Sequence, residues 1–134
     1  MRILFLTPTL GLGGSERLTV GSASGLRARG HKVALAYGVK NLQVEATRDP
    51  EIPTFDVSPV VPDVRSFAAW VANVRRVVST FRPDVIHAQS VATAAVARAA
   101  APGVPILFTM HGVPRESELT ASLVLRLARV RATA

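Results

Sequence analysis

Short apolar runs alternate with longer helical patterns along the chain. Ile3 to Thr7 is a largely apolar run that ends at Pro8, the pattern of a strand covered on both faces. A glycine-rich turn, Gly11-Leu12-Gly13-Gly14, separates it from a helical pattern over Ser15–Arg29. Leu18, Ala23 and Leu26 are that helix's main apolar members, and Gly30 supplies the residue that ends it. Gly21 and Gly25 lie four apart inside it, each unfavourable by about 1 kcal/mol against alanine, and predict a close helix–sheet contact. Lys32 to Tyr37 reads as a second strand closed by Gly38, residues 39–53 as polar and irregular, and Thr54–Val57 as a short edge strand whose exit Pro59 and Pro62 bracket. Phe67, Trp70, Val71, Val74, Val78 and Phe81 recur at three- and four-residue spacing, with Arg75, Arg76 and Ser79 off that stripe. They predict a helix over Arg65–Phe81, stopped by Pro83. Asp84–Ala88 is another buried strand, Val91–Ala101 an alanine-rich helix and Pro105–Met110 the next apolar run. Beyond Pro114, Glu116 and Glu118 come early and Arg126, Arg129 and Arg131 late, an order that suits the dipole of a final helix.

Strands and helices alternating through short loops predict parallel βαβ units. The expected fold is a three-layer α/β sandwich of Rossmann-like type with a mostly parallel sheet of about five strands, in one domain over 1–134. The 134 residues are 49% apolar and 19% charged, which excludes disorder and allows a real core. Cysteine is absent, so disulfides and thiolate zinc are excluded, and His31, His87 and His111 show no paired metal-ligand spacing. The net charge of +7 comes almost wholly from arginine, Lys32 and Lys40 being the only lysines. These arginines are scattered, and one tyrosine and one tryptophan offer little for base stacking, so nucleic acid is not an expected partner. Attraction to phosphorylated ligands or an anionic membrane surface fits the charge better. No stretch can span a bilayer, and Pro8 with the following glycines cuts the opening apolar run too short for a signal peptide.

In an open parallel sheet, ligands bind at the carboxyl ends of the strands. That rule selects three loops: Pro8–Glu16, His87–Ser90 and His111–Pro114. Glycines at 11, 13 and 14 let a ligand approach the backbone, and the helix behind them offers free N–H groups and a positive dipole end to a phosphate or carboxylate. The same glycines equally suit a plain tight turn. The spacing is not a dinucleotide fingerprint, since Glu16 stands where the third glycine would fall. Tyr37-Gly38-Val39-Lys40 likewise offers no acidic residue for a ribose. No Walker lysine follows either.

Met1-Arg2-Ile3-Leu4-Phe5-Leu6-Thr7-Pro8, followed by Gly13-Gly14-Ser15-Glu16-Arg17, resembles the start of GT-B glycosyltransferases of the family 4 type. Three further stretches resemble the same family in the same order: Ala28-Arg29-Gly30-His31-Lys32-Val33, Arg82-Pro83-Asp84-Val85-Ile86-His87-Ala88, and Pro105-Ile106-Leu107-Phe108-Thr109-Met110-His111-Gly112. The resemblance covers all but Val39–Val64. It implies a retaining, metal-independent transfer of a sugar from a nucleotide-sugar to an acceptor, carried out in the cytoplasm or at the inner membrane face with no cofactor. It also implies that the chain is a partial N-terminal, acceptor-side half of a GT-B fold, without the C-terminal donor-binding domain and inactive alone.

Carried over residue by residue, Gly13 and Gly14 match the glycine pair near donor phosphates and acceptor, and Ser15 and Glu16 open the helix behind it. His87 matches the first histidine of a frequent His-x-His, Gln89 stands in place of the second, and His111 matches the histidine of a Thr-x-His-Gly turn. Glutamine can bond a sugar hydroxyl but cannot serve as a cation or acid–base group. Plainer readings stand beside these. His87 reads as a core histidine bonded to a backbone carbonyl in preference to a catalytic one, His31 as a surface turn residue, and Glu16 as a partner of the helix dipole. His111, at a loop tip, favours a ligand contact. The alternative function is a non-catalytic Rossmann-like module binding a phosphorylated ligand or a protein partner.

Overall fold

A computed structural model of the chain describes residues 1–11, 13–40, 49–58 and 64–111. The elements run in the order β1 (Arg2–Leu10), α1 (Gly14–Ala28), β2 (Lys32–Lys40), β3 (Thr54–Asp56), α2 (Val64–Phe81), β4 (Val85–Ala88), α3 (Val91–Ala100) and β5 (Ile106–Phe108). The five strands form one sheet in the order β3-β2-β1-β4-β5, and every pairing is parallel. The expected α/β fold is the observed one. The expected final helix beyond Pro114 and the exit at Pro59 and Pro62 lie outside the described residues.

Strand β1 is the centre of the sheet because it is apolar on both faces. Leu4 and Leu6 pack with Trp70, Val74, Val77 and Phe81 of α2 and with Val96, Ala97 and Ala100 of α3. Ile3 and Phe5 pack on the opposite side with Ala23 of α1, Val33, Leu35 and Ile52. That division makes three layers. Each of the buried valine, leucine, isoleucine and phenylalanine side chains among these contributes up to roughly 1.5–3 kcal/mol by leaving water.

The strand does not stop at Pro8, as the apolar run suggests, but continues to Leu10, pairing Thr9 with Val39 and Leu10 with Lys40. The hydrogen-bond alternation explains why a proline is tolerated there. Even-numbered residues of β1 turn their amide groups toward β4, since the Asp84 and Gln89 N–H groups donate to the Arg2 and Leu6 carbonyls. Strand β4 ends at Ala88, opposite Leu6, so at Pro8 no ladder partner calls for the missing N–H.

Three further expectations are corrected. Leu18 is 59% exposed, and Thr19, Val20 and Ala23 form the buried stripe of α1 instead. Gly21 and Gly25 are exposed, and a Cβ on either would meet nothing within 4 Å, so no close helix–sheet contact explains them. Within the stretch expected to be polar and irregular, Ile52 is fully buried against Ile3, Phe5 and Leu35. Arg27 reinforces that anchor from α1 by ion pairs to Asp49 at 3.1 Å and to Glu51. Two features of α2 also differ from the stripe: Val77 joins its buried face, while Phe67, one turn before the first buried position, is 41% exposed.

Gly30 ends α1 as expected, at φ +88°. Its N–H donates to the Arg27 carbonyl at 2.8 Å and the His31 N–H to the Leu26 carbonyl at 3.2 Å, the pair of bonds that defines a Schellman end. These glycines make opposite predictions. Gly21→Ala and Gly25→Ala should each raise stability by about 0.5–1 kcal/mol, because the helix gains and nothing clashes. Gly30→Ala should lower it by about 1–2 kcal/mol, because alanine resists the left-handed conformation. Thermal denaturation followed by circular dichroism measures all three.

Candidate functional site

Strand order reverses between β1 and β4: β2 and β3 lie to one side, β4 and β5 to the other. Beyond Leu6 and Ala88 the two central strands part, and a crevice opens at their carboxyl ends. Around it stand the residues singled out from the sequence. Gly13, Gly14, Ser15 and Glu16 form the mouth of α1, Gln89 follows β4, and His111 follows β5. Of the His111–Pro114 loop, only His111 lies among the described residues.

Gly13 is the N-cap of α1, and having no side chain it leaves the helix mouth without a side-chain cap. Glu16 fills that role by folding back. Its carboxylate accepts hydrogen bonds from the Thr9 hydroxyl at 2.7 Å and the Ser15 hydroxyl at 2.8 Å. It lies so close over Gly13 that a Cβ there would come within 2.2 Å of Oε2. The cradle expected to suit a phosphate or carboxylate therefore holds the chain's own carboxylate. The Thr9 bond is the main cause that holds the Glu16 carboxyl below the usual value of 4.5, against a smaller opposing effect of burial.

A second cluster lies beneath the start of α1. Gln89 is pinned by its backbone, whose N–H donates to Leu6 of β1 at 3.0 Å. It directly precedes the N-cap of α3, where Ser90 and Thr93 close a capping box with threonine in the place usually taken by glutamate. Only 7% of Gln89 is exposed. Its Oε1 lies 2.8 Å from Nε2 of His111 and 3.2 Å from the hydroxyl of Thr19, which itself donates to the Ser15 carbonyl at 2.8 Å. Gln89 thus joins α1, β4 and the residue after β5 in one polar knot. Its Nε2 is buried without a hydrogen-bond partner among the described residues.

His87 stands apart from this knot. Its ring packs on Phe5 with centroids 4.9 Å apart, and Nε2 lies 2.8 Å from the Thr109 hydroxyl. The partner is a side chain and not the backbone carbonyl expected. Burial, aided by His111, pushes the His87 imidazole below its ordinary 6.5, so the ring is neutral near pH 7. His31 sits at the other end of the sheet, with Nδ1 3.4 Å from the terminal amine of Met1. A cavity of about 290 Å³ opens at that end, between His31, Lys32, Glu51 and Phe81, away from the crevice. Thr9 and Thr19 are the site residues that the sequence did not single out. Thr19 carried one signal, a hydroxyl on the helix face that turned out to be buried. Among the described residues, no three histidine or acidic side chains come together so as to hold a metal ion, and no helix is long and apolar enough to cross a membrane.

Comparison with known proteins agrees with this architecture. A family model described as Glycosyltransferase Family 4 matches residues 12–133. A segment of 33 residues is 61% identical to the alpha-1,3/1,6-mannosyltransferase alg-2 of Neurospora crassa, covering 25% of this chain and 7% of that protein. Among solved structures, the glycosyltransferase SnogD from Streptomyces nogalater aligns over 98% of this chain and 40% of its own, with a TM-score of 0.61 and 28% identity. MurG of Acinetobacter baumannii aligns over 92% of this chain and 38% of its own, with a TM-score of 0.69 and 15% identity. Anabaena HepE, solved in complex with UDP and glucose, aligns over 94% and 34%, with a TM-score of 0.65 and 22% identity. The chain spans well under half the length of each of these relatives.

Acidification should remove stability in two stages. His87 is neutral when folded and protonates more readily when unfolded, so its contribution is complete above 6.5 and declines as pH falls below that value. The Glu16 contribution is complete above 4.5 and is lost as pH falls through its lowered folded value. A profile of melting temperature against pH should show both stages. His87→Asn should abolish the upper one and Glu16→Gln the lower one.

Proposed function

Because the chain belongs to glycosyltransferase family 4, we propose that it forms the acceptor-side Rossmann-like half of a retaining enzyme that moves a sugar from a nucleotide-sugar to an acceptor. A second, donor-binding domain completes the enzyme, no metal or other cofactor takes part, and the 134 residues alone do not turn over. The observation that carries the proposal is the meeting of the α1 mouth with the Thr19–Gln89–His111 knot where β1 and β4 part. Hydroxyl, amide and imidazole groups around one crevice are the groups that read sugar hydroxyls.

In this reading the acceptor hydroxyl oxygen replaces the diphosphate oxygen on the anomeric carbon, and the hydroxyl proton leaves with the diphosphate. Oriented donors at the crevice stabilise the departing diphosphate while that carbon gains positive character. The Glu16 carboxylate sets a condition on this chemistry. Held by Thr9 and Ser15, it keeps a negative charge at the helix mouth, which admits a neutral, hydroxylated acceptor and repels a diphosphate until the side chain swings away. Peripheral contact with an anionic membrane at the cytoplasmic face belongs to the same proposal. Support comes from α2, which exposes Arg65, Arg75 and Arg76 and has no acidic side chain anywhere in its length.

A thermal-shift series on this chain tests the proposal. Hydroxylated acceptor sugars should raise the melting temperature, whereas nucleotides and dinucleotides should not, and no nucleotide-sugar should be turned over. Glu16→Gln should strengthen inorganic pyrophosphate binding about fivefold, since one like-charge contact at a solvent-exposed site is worth on the order of 1 kcal/mol. Stabilisation by a dinucleotide, or turnover by the chain alone, would overturn the proposal.

A further inference from the structure

The polar knot beneath α1 leaves one bond unmade, and that gap fixes a proton. With its carbonyl turned to Thr19 and His111, Gln89 keeps both hydrogens of Nε2 buried, with no acceptor among the described residues. An unpaired buried donor bears the full desolvation of its N–H with no bond in return. The carbonyl gains little in return. Thr19 has a single hydroxyl hydrogen, and the Ser15 carbonyl at 2.8 Å takes it ahead of Gln89 at 3.2 Å. Only the bond from His111 is then left to the carbonyl.

Half a turn of the terminal amide exchanges its nitrogen and oxygen without moving any other atom. The nitrogen then faces two acceptors. One is the Thr19 oxygen, whose lone pairs are free once its hydrogen goes to Ser15, and the other is Nε2 of His111. Both amide hydrogens are used. The buried place passes to the carbonyl oxygen, and an under-satisfied carbonyl is tolerated better than an orphaned N–H.

We propose that Gln89 is a double donor, to Thr19 and to His111, and that it thereby holds His111 in the tautomer with the proton on Nδ1. Gln89 is then a positioning residue that acts through His111. The ring nitrogen outside the knot presents a hydrogen-bond donor, so His111 receives a ligand through an oxygen lone pair. A histidine protonated on Nε2 would instead offer an acceptor and select a ligand O–H or N–H. That consequence for ligand choice rests on the proposed function, whereas the tautomer belongs to the free chain and is measured without ligand.

The experiment is long-range ¹H–¹⁵N correlation of the ¹⁵N-labelled 134-residue chain, at a pH above the range in which imidazoles protonate. His111→Asn assigns the signals, with His31 and His87 as internal references. The expected wild-type pattern has the His111 proton on Nδ1 and an unprotonated Nε2. Gln89→Glu offers a carboxylate, which can only accept, and should move the proton to Nε2. Gln89→Leu removes the donor without adding a charge and should release the ring toward the Nε2–H form that free imidazoles favour. A Nε2 proton on His111 in the wild-type chain overturns the proposal, whatever the variants do. So does a His111 tautomer that stays on Nδ1 in a folded Gln89→Glu chain, because a merely space-filling Gln89 would give that result.

Discussion

The inequality in length between β1 and β4 is the constraint on which the site depends. Strand β1 runs over nine residues and β4 over four, and they share only the rungs from Ile3–Val85 to Leu6–Ala88. Past that point β1 keeps β2 as its neighbour and loses β4, so the sheet splits at its own centre. Burial on both faces makes β1 central, and parallel pairing makes every strand end at the same side. The crevice follows from these two facts together, and Thr19 of α1 meets Gln89, the residue ahead of the α3 N-cap, beside it. Neither glycines nor histidines create the site; they occupy a gap that the hydrogen-bond ladder has already made.

Much of this architecture is legible in the sequence because burial on two faces leaves a local signature. The runs Ile3–Thr7, Lys32–Tyr37 and Asp84–Ala88 mark the three inner strands, and the stripe from Trp70 to Phe81 marks the helix that covers them. What escapes the sequence is set by partners distant along the chain. Ile52 is a lone apolar residue among polar neighbours, and only the facing Ile3, Phe5 and Leu35 make it core. Pro8 reads as a stop because the rule against proline in a strand presumes a neighbour on the N–H side, and β4 has ended there. Gly21 and Gly25 invite a packing explanation that the open space around them refuses.

Candidate site residues divide along the same line. The glycines, Glu16, Gln89 and His111 follow strand ends, and position alone nominates them. Thr9 and Thr19 do not, because threonine in a strand or helix reads as neutral filling. Their importance comes from a second residue: Glu16 for Thr9, Gln89 for Thr19. His87 behaves differently. It has the right position and residue type, yet Phe5 and Thr109 draw it into the sheet, and burial keeps it neutral. His87 sits on a ladder rung between Phe5 and Leu107, whereas His111 lies past the last rung of β5.

Glu16 links folding and function most directly. A helix whose N-cap is glycine lacks the side-chain acceptor that normally satisfies its first N–H groups, and a carboxylate in the first turn is the simplest remedy. The remedy stabilises the free chain by placing a negative charge where an incoming phosphate would find the same N–H groups. A ligand at this mouth would compete with the side chain for one electrostatic feature, and its gain would be reduced by whatever Glu16 had contributed. A serine or aspartate at position 13 would cap the helix without that competition, but its side chain would fill the space through which a ligand reaches the backbone. Glycine at 13 with glutamate at 16 keeps the mouth both stable and accessible, because the long side chain can leave and a short cap cannot.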